Sequence, residues 1–218
     1  MLTYYRAVRK ASVAIADAAN YATAAYRGGR VEQEPAITDR MLAGIETSLD
    51  GVEIGGIRWT AKTLTDRGRG SQESRYGADF LGVLSIDLPD FKVSKGFLAQ
   101  AKLAKHFNST EIHSLKTQCE KMLRLSAASF VFLYGKQAIY VVPAISVLGS
   151  GWQPDQLYSR SVQKFFEAHF ECFIGDRAID PATPEVLSSL TQRFEARSAL
   201  LLSGKGQGVS SGGGGISA

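Results

Sequence analysis

Between Gly77 and Lys102 the chain reads GADFLGVLSIDLPDFKVSKGFLAQAK, two apolar runs separated by a turn. The first run, Phe80-Leu81-Gly82-Val83-Leu84, follows the acid Asp79 and fades into Ser85 and Asp87, and Leu88-Pro89-Asp90 supplies the turn. The second, Gly96-Phe97-Leu98-Ala99-Gln100-Ala101-Lys102, stays apolar until an amide and an ammonium appear two residues apart. Side chains at i and i+2 share one face of a strand, so Gln100 and Lys102 project together, and a neighbouring strand can set Asp79 beside them. An acid, an amide oxygen and a lysine at the end of a buried sheet suit a metal ion and a phosphate.

The flanks of this strand pair alternate between helix and strand. Residues 3–27 are rich in alanine, carry a loose apolar stripe and end at Gly28-Gly29, which predicts a helix for packing or dimerisation. A second helix follows Glu34-Pro35, with Ile37, Met41, Ile45 and Leu49 on one face; a proline and an acid both suit a helix start. Residues 52–65 read as a strand or short hairpin, and residues 66–75 as a polar loop carrying Arg67, Arg69 and Arg75. Beyond Lys102 come an amphipathic helix to Leu125 and two apolar strands, 129–134 and 138–142. Two helices then follow, at 159–172 with Phe173 facing inward and after Thr183-Pro184 with Leu187, Leu190 and Phe194 as its core face. The glycine- and serine-rich stretch from Ser203 predicts a flexible tail. Four segments are therefore expected: a helical extension (1–30), a core domain (31–150), C-terminal helices packed on it (151–202) and the tail (203–218).

Composition narrows the function classes. With 218 residues, 44% of them hydrophobic, the chain can bury a sizeable core, and a net charge of +4 is compatible with a polyanionic partner. Cys119 and Cys172 lie in apolar helical contexts and read as buried thiols. No CxxC pair exists and His106, His113 and His169 are scattered without ligand spacing, which argues against a zinc site. No run approaches the ~20 apolar residues of a membrane span, and no secretory signal is visible, so a cytoplasmic location with no membrane partner is the expectation.

The order helix, strand, strand pair ending in Gln100-Ala101-Lys102, helix, strand resembles the restriction-endonuclease-like nucleases of the PD-(D/E)XK superfamily, in the Gln-x-Lys variant found in Mrr-type enzymes. The resemblance runs from about Glu34 to Val142, with Asp79, Gln100 and Lys102 matching the motif and Glu34 or Glu46 matching the acid of the preceding helix. It implies an α/β fold with an αβββαβ core, a central mixed sheet flanked by helices. It also implies a Mg²⁺- or Mn²⁺-dependent endonuclease acting on double-stranded DNA in bacterial restriction or anti-phage defence, with a homodimer or a defence-system protein as partner. Gln100 departs from the usual charged ligand. A catalytically weak or inactive nuclease-fold subunit, serving as a nucleic-acid-binding or assembly module, is the alternative.

Phosphodiester hydrolysis needs an activated water and neutralisation of the charge that builds on phosphorus oxygens, both within reach of an oxygen-ligated divalent ion. Asp79 is the expected principal ligand. The Gln100 side-chain oxygen, the Ala101 carbonyl and Glu34 complete the set, with Glu46 and then Glu73 as alternatives to Glu34. Lys102 would position the water or meet the developing charge. Arg67, Arg69, Arg75, Lys95 and Lys105 are the candidate nucleic-acid contacts.

Overall fold

The computed structural model describes residues 2–65, 78–151, 153–180, 186–194 and 196–206. Its N-terminal helices are α1 (Leu2–Arg27) and α2 (Glu34–Leu49). A small hairpin follows, β1 (Glu53–Ile54) and β2 (Ile57–Thr65), closed by Gly55 and Gly56 with φ of 63° and 76°. Two consecutive positive φ values are what a tight hairpin turn requires, and only glycine adopts them without cost. The predicted strand pair is β3 (Ala78–Leu88) and β4 (Phe91–Leu103), antiparallel from Phe80↔Ala99 to Leu88↔Phe91. Their turn is Pro89-Asp90, so β4 begins five residues earlier than the apolar run at Gly96 suggested.

A capped helix, α3 (Ser109–Leu125), carries the chain over to β5 (Ser129–Tyr134), which lies parallel to β4. Then come β6 (Ile139–Pro143), α4 (Ala144–Gly149), β7 (Arg160–Ser161), α5 (Val162–Phe170), α6 (Val186–Arg193) and β8 (Ala196–Gly206). Together the strands make one mixed eight-stranded sheet in the order β1-β2-β8-β3-β4-β5-β6-β7. Helices cover both faces, as an α/β protein with a buried central sheet requires. Ile15 of α1, Ile37 and Met41 of α2, and Phe165 and Phe166 of α5 pack on one face, around Trp59, Phe80, Phe97 and Phe132. Leu115 and Met122 of α3, Val147 of α4 and Leu190 of α6 cover the other, over Leu81, Val83, Leu98 and Val131. Among the described residues no helix is long and apolar enough to cross a membrane.

The C-terminal segment is where expectation and structure part. Residues 196–206 form neither the end of a helix nor the start of a tail: β8 sits inside the sheet, antiparallel to β2 and parallel to β3. The expectation of a tail from Ser203 is therefore corrected, since Ser203–Gly206 pair with Ile57–Thr60 and the remaining tail residues, 207–218, lie outside the described residues. Nor is 151–202 a separate helical layer, because its last residues belong to the core sheet. Leucine-rich ARSALLLSGKG lacks the β-branched residues that mark a strand, and only burial between two neighbours selects the extended form. Two smaller corrections belong to the same region: α5 ends at Phe170, leaving Phe173 80% exposed, and the Cys172 thiol is exposed rather than buried.

Gly82 lies directly across from Phe97, whose ring folds over it, meets the ring of Phe165 at 4.9 Å and stacks on Phe132 at 6.2 Å. A Cβ at Gly82 would overlap the Phe97 ring. Gly82→Ala should therefore destabilise the chain by about 1–3 kcal/mol, since an overpacked core must shift its side chains. Chemical denaturation reads the change, and an unaltered midpoint would show that Phe97 has room to move.

Candidate functional site

The site begins where β3 leaves β4. Their ladder ends at Phe80↔Ala99, yet β4 continues to Leu103. On β4 the N–H groups of Leu98 and Ala104 point toward the β5 side, donating to Ala128 O at 2.9 Å and Tyr134 O at 3.0 Å. Those of Ala101 and Leu103, by alternation, face the side that β3 has vacated. Buried N–H groups need acceptors, and here both acceptors are carboxylates. Ala101 N donates to Asp79 Oδ2 at 2.7 Å and Leu103 N donates to Glu34 Oε1 at 2.8 Å. Two acids thus sit on successive free N–H groups of one strand edge, roughly 7 Å apart by strand rise.

Separate elements deliver each acid. Asp79 is the second residue of β3 and faces the α3 side of the sheet with Leu81 and Val83. Glu34 opens α2, which packs on the opposite face. Thr38, one turn into α2, donates to Glu34 O at 3.0 Å and shares a 2.8 Å hydrogen bond with the buried Tyr134 hydroxyl. That link ties the helix start to the end of β5. Lys102 Nζ then lies 3.5 Å from Glu34 Oε2, with both side chains mostly but not fully buried.

Across the sheet, the registers put Arg197 of β8, Asp79 of β3 and Gln100 of β4 in one lateral row, one strand apart, all on the same face. Gln100 is 3% exposed and donates through Nε2 to Asp79 Oδ2. Asp79 holds its proton more tightly than an ordinary aspartate, chiefly because burial penalises its charge. The Ala101 N–H, Lys102 and Arg197 oppose that rise, while Glu34 adds to it. This carboxylate is under-compensated even with an amide and a backbone N–H on one oxygen.

The available donors are all hard oxygens: the second Asp79 oxygen, Glu34, the Gln100 amide oxygen and the Ala101 carbonyl. Such a set fits Mg²⁺ or Mn²⁺ and not a thiophilic ion. A half-turn of the Gln100 amide would present Oε1 where Nε2 now meets Asp79. Among the described residues no group of three or more His, Cys, Asp or Glu converges. An ion here would therefore depend on the amide, the backbone and retained waters beside the two acids.

Not every expected residue joins this cluster. Glu46 lies twelve residues along α2 from Glu34, about 18 Å by helix rise, and accepts from Thr63 on β2. The choice between the two helix acids therefore falls to Glu34. Lys95 is corrected outright as a nucleic-acid contact: it is 3% exposed and donates to Ile174 O at 2.7 Å. Burial lowers its pKa, and its ammonium is enclosed beside Gly175 and the neutral His169, whose own pKa burial pushes down to about 3. Lys105 is exposed and pairs with Glu111 Oε1 at 2.6 Å, on the loop that leads out of β4. Arg67, Arg69, Glu73 and Arg75 lie outside the described residues. Sequence reasoning missed Arg197 and the Thr38–Tyr134 link. Arg197 became visible only with β8; reading ALLL after an arginine as a strand was the one available signal.

No family model, curated protein or solved structure matches the chain. The geometry itself makes a prediction. Because burial raises the Asp79 pKa, the carboxyl is protonated in folded and unfolded chains well below pH 4 and costs nothing there; as pH climbs above about 4 its ionisation increasingly opposes folding. Asp79→Asn removes that cost. As pH rises above about 4, wild type should lose Tm relative to Asp79→Asn, the gap widening until Asp79 is fully ionised. Parallel pH profiles in thermal unfolding would show that Asp79 carries no such burden.

Proposed function

We propose that this protein is a metal-dependent nuclease that hydrolyses phosphodiester bonds, with double-stranded DNA as substrate and restriction or anti-phage defence as its setting. One observation carries the reading: Asp79, Gln100, Lys102 and Glu34 come from three elements and meet at one strand end. The element order α2-β1-β2-β3-β4-α3-β5, in which β1 and β2 form one short hairpin, supports an αβββαβ core of the restriction-endonuclease-like kind, with β8 inserted between β2 and β3. A net charge of +4 supports a polyanionic substrate, and the exposed Lys105 offers a contact at the rim.

In this reading Asp79 and Glu34 would hold the divalent ion, with the Gln100 amide oxygen and the Ala101 carbonyl available beside them. Bound there, Mg²⁺ or Mn²⁺ supplies Lewis acidity and a water of lowered pKa. Lys102, tethered by Glu34, places an ammonium next to the acids, where it would position a water and meet charge growing on the phosphate oxygens. The Ala101 and Leu103 N–H groups fix both carboxylates, so the site is ordered before substrate arrives.

One observation favours a second reading, a subunit of the same fold that binds nucleic acid or partners without cutting. Each acid already accepts a backbone N–H, and Gln100 and Lys102 each add one further contact to an acid. Cleavage of plasmid and oligonucleotide DNA in Mg²⁺ or Mn²⁺ separates the two. Asp79→Ala and Lys102→Ala should each lower the rate by about 10²-fold or more, and Glu46→Gln should leave it unchanged. Cleavage that survives both alanine substitutions overturns the nuclease assignment. Calorimetric titration that finds no divalent-ion site in wild type selects the non-cutting subunit.

A further inference from the structure

We infer that Arg197, brought to the site by β8, is a phosphate-binding residue that grips the nucleic-acid strand beside Asp79. The inference rests on the nuclease reading and assigns its substrate-holding cation. Register fixes the position: Ala78 pairs with Ala196 and Phe80 with Ser198, so Arg197 stands next to Asp79 across one strand spacing. Parallel neighbours project to the same face, and the Arg197 charge registers at Asp79, favouring its ionised form.

The other cations of this region are already paired. Lys102 is bound to Glu34 and Lys105 to Glu111, whereas Arg197 makes no ion pair among the described residues. It is also half-buried, on the strand next to Asp79. A half-buried arginine beside an acid that it does not bridge has donors to offer an anion, and its planar fork matches two oxygens of one phosphate. Lys102 and Arg197 lie on opposite sides of Asp79, the first beyond Gln100 on β4 and the second on β8. A phosphodiester drawn to the acid-held ion would thus meet a cation on either flank. Lys102 serves the reacting water; Arg197 serves the strand.

The test is binding of a fluorescein-labelled DNA duplex in EDTA, where a metal-dependent enzyme leaves the duplex intact, measured by anisotropy over a range of salt concentrations. Arg197→Ala should weaken binding ~10-fold and make the slope of log K against log salt shallower by about one, the loss of one phosphate contact. Arg197→Lys should recover the slope and part of the affinity. Calorimetry of the free proteins should show divalent-ion binding no weaker in Arg197→Ala than in wild type, a result that structural damage would not give. A slope unchanged in Arg197→Ala overturns the inference while leaving the nuclease reading intact. Wild type that binds no duplex at any salt overturns the inference too. Loss of ion binding in Asp79→Ala with an unchanged Arg197→Ala slope separates the two proposals. Should Arg197→Ala fail to fold, Arg197→Gln carries the same salt-slope comparison.

Discussion

Two backbone N–H groups, those of Ala101 and Leu103, govern the arrangement of the site. A strand that outruns its partner inside a protein leaves donors that cost on the order of 1–3 kcal/mol each if unmet. β4 outruns β3, and α2 on one face and α3 on the other leave that strand end partly buried. Acids drawn from two different elements meet those donors. The local need for acceptors and the clustering of like charges are therefore one fact, and the repulsion between the acids is offset by Lys102 and the amide of Gln100.

A carboxylate serving as a strand-end acceptor has a purely structural explanation, and Asp79 and Glu34 both qualify for it. What exceeds that explanation is the remainder of the cluster. An acceptor for Ala101 N requires neither a buried amide on the same oxygen nor a lysine and an arginine on either flank. The rise in the Asp79 pKa has the same sense: a residue placed only to satisfy an N–H would do so at less cost as an asparagine. A carboxyl whose pKa burial raises, held at a crowded strand end, is the kind of group that the proposed ion-binding role would use.

Much of this was legible in the residues. Alternation along Gly96–Lys102 placed Gln100 and Lys102 on one face, and the acid at the start of the preceding strand fell opposite them, because a strand's period of two is rigid. Glu34 was legible as a helix start but not as the partner of Lys102; that contact depends on how α2 crosses the strand ends, which the sequence of α2 does not encode. Lys95 misled because a lysine flanked by Ser94 and Gly96 reads as solvated, whereas the carbonyl of Ile174, supplied from far along the chain, receives it in the interior. β8 was invisible for a related reason: Leu200, Leu201 and Leu202 favour helix locally and become strand only between β2 and β3.

The place of β8 has a consequence for how the molecule comes together. β2 and β3 lie close in sequence yet cannot zip to each other, since the strand between them pairs with residues on the order of a hundred positions earlier in the chain. During synthesis the β3–β4 hairpin and the β4-α3-β5 crossover emerge before β8. Arg197 enters with β8, between β2 and β3. A nascent chain therefore acquires its acids early and Arg197 late, and the row across β8, β3 and β4 is completed only when the sheet itself closes.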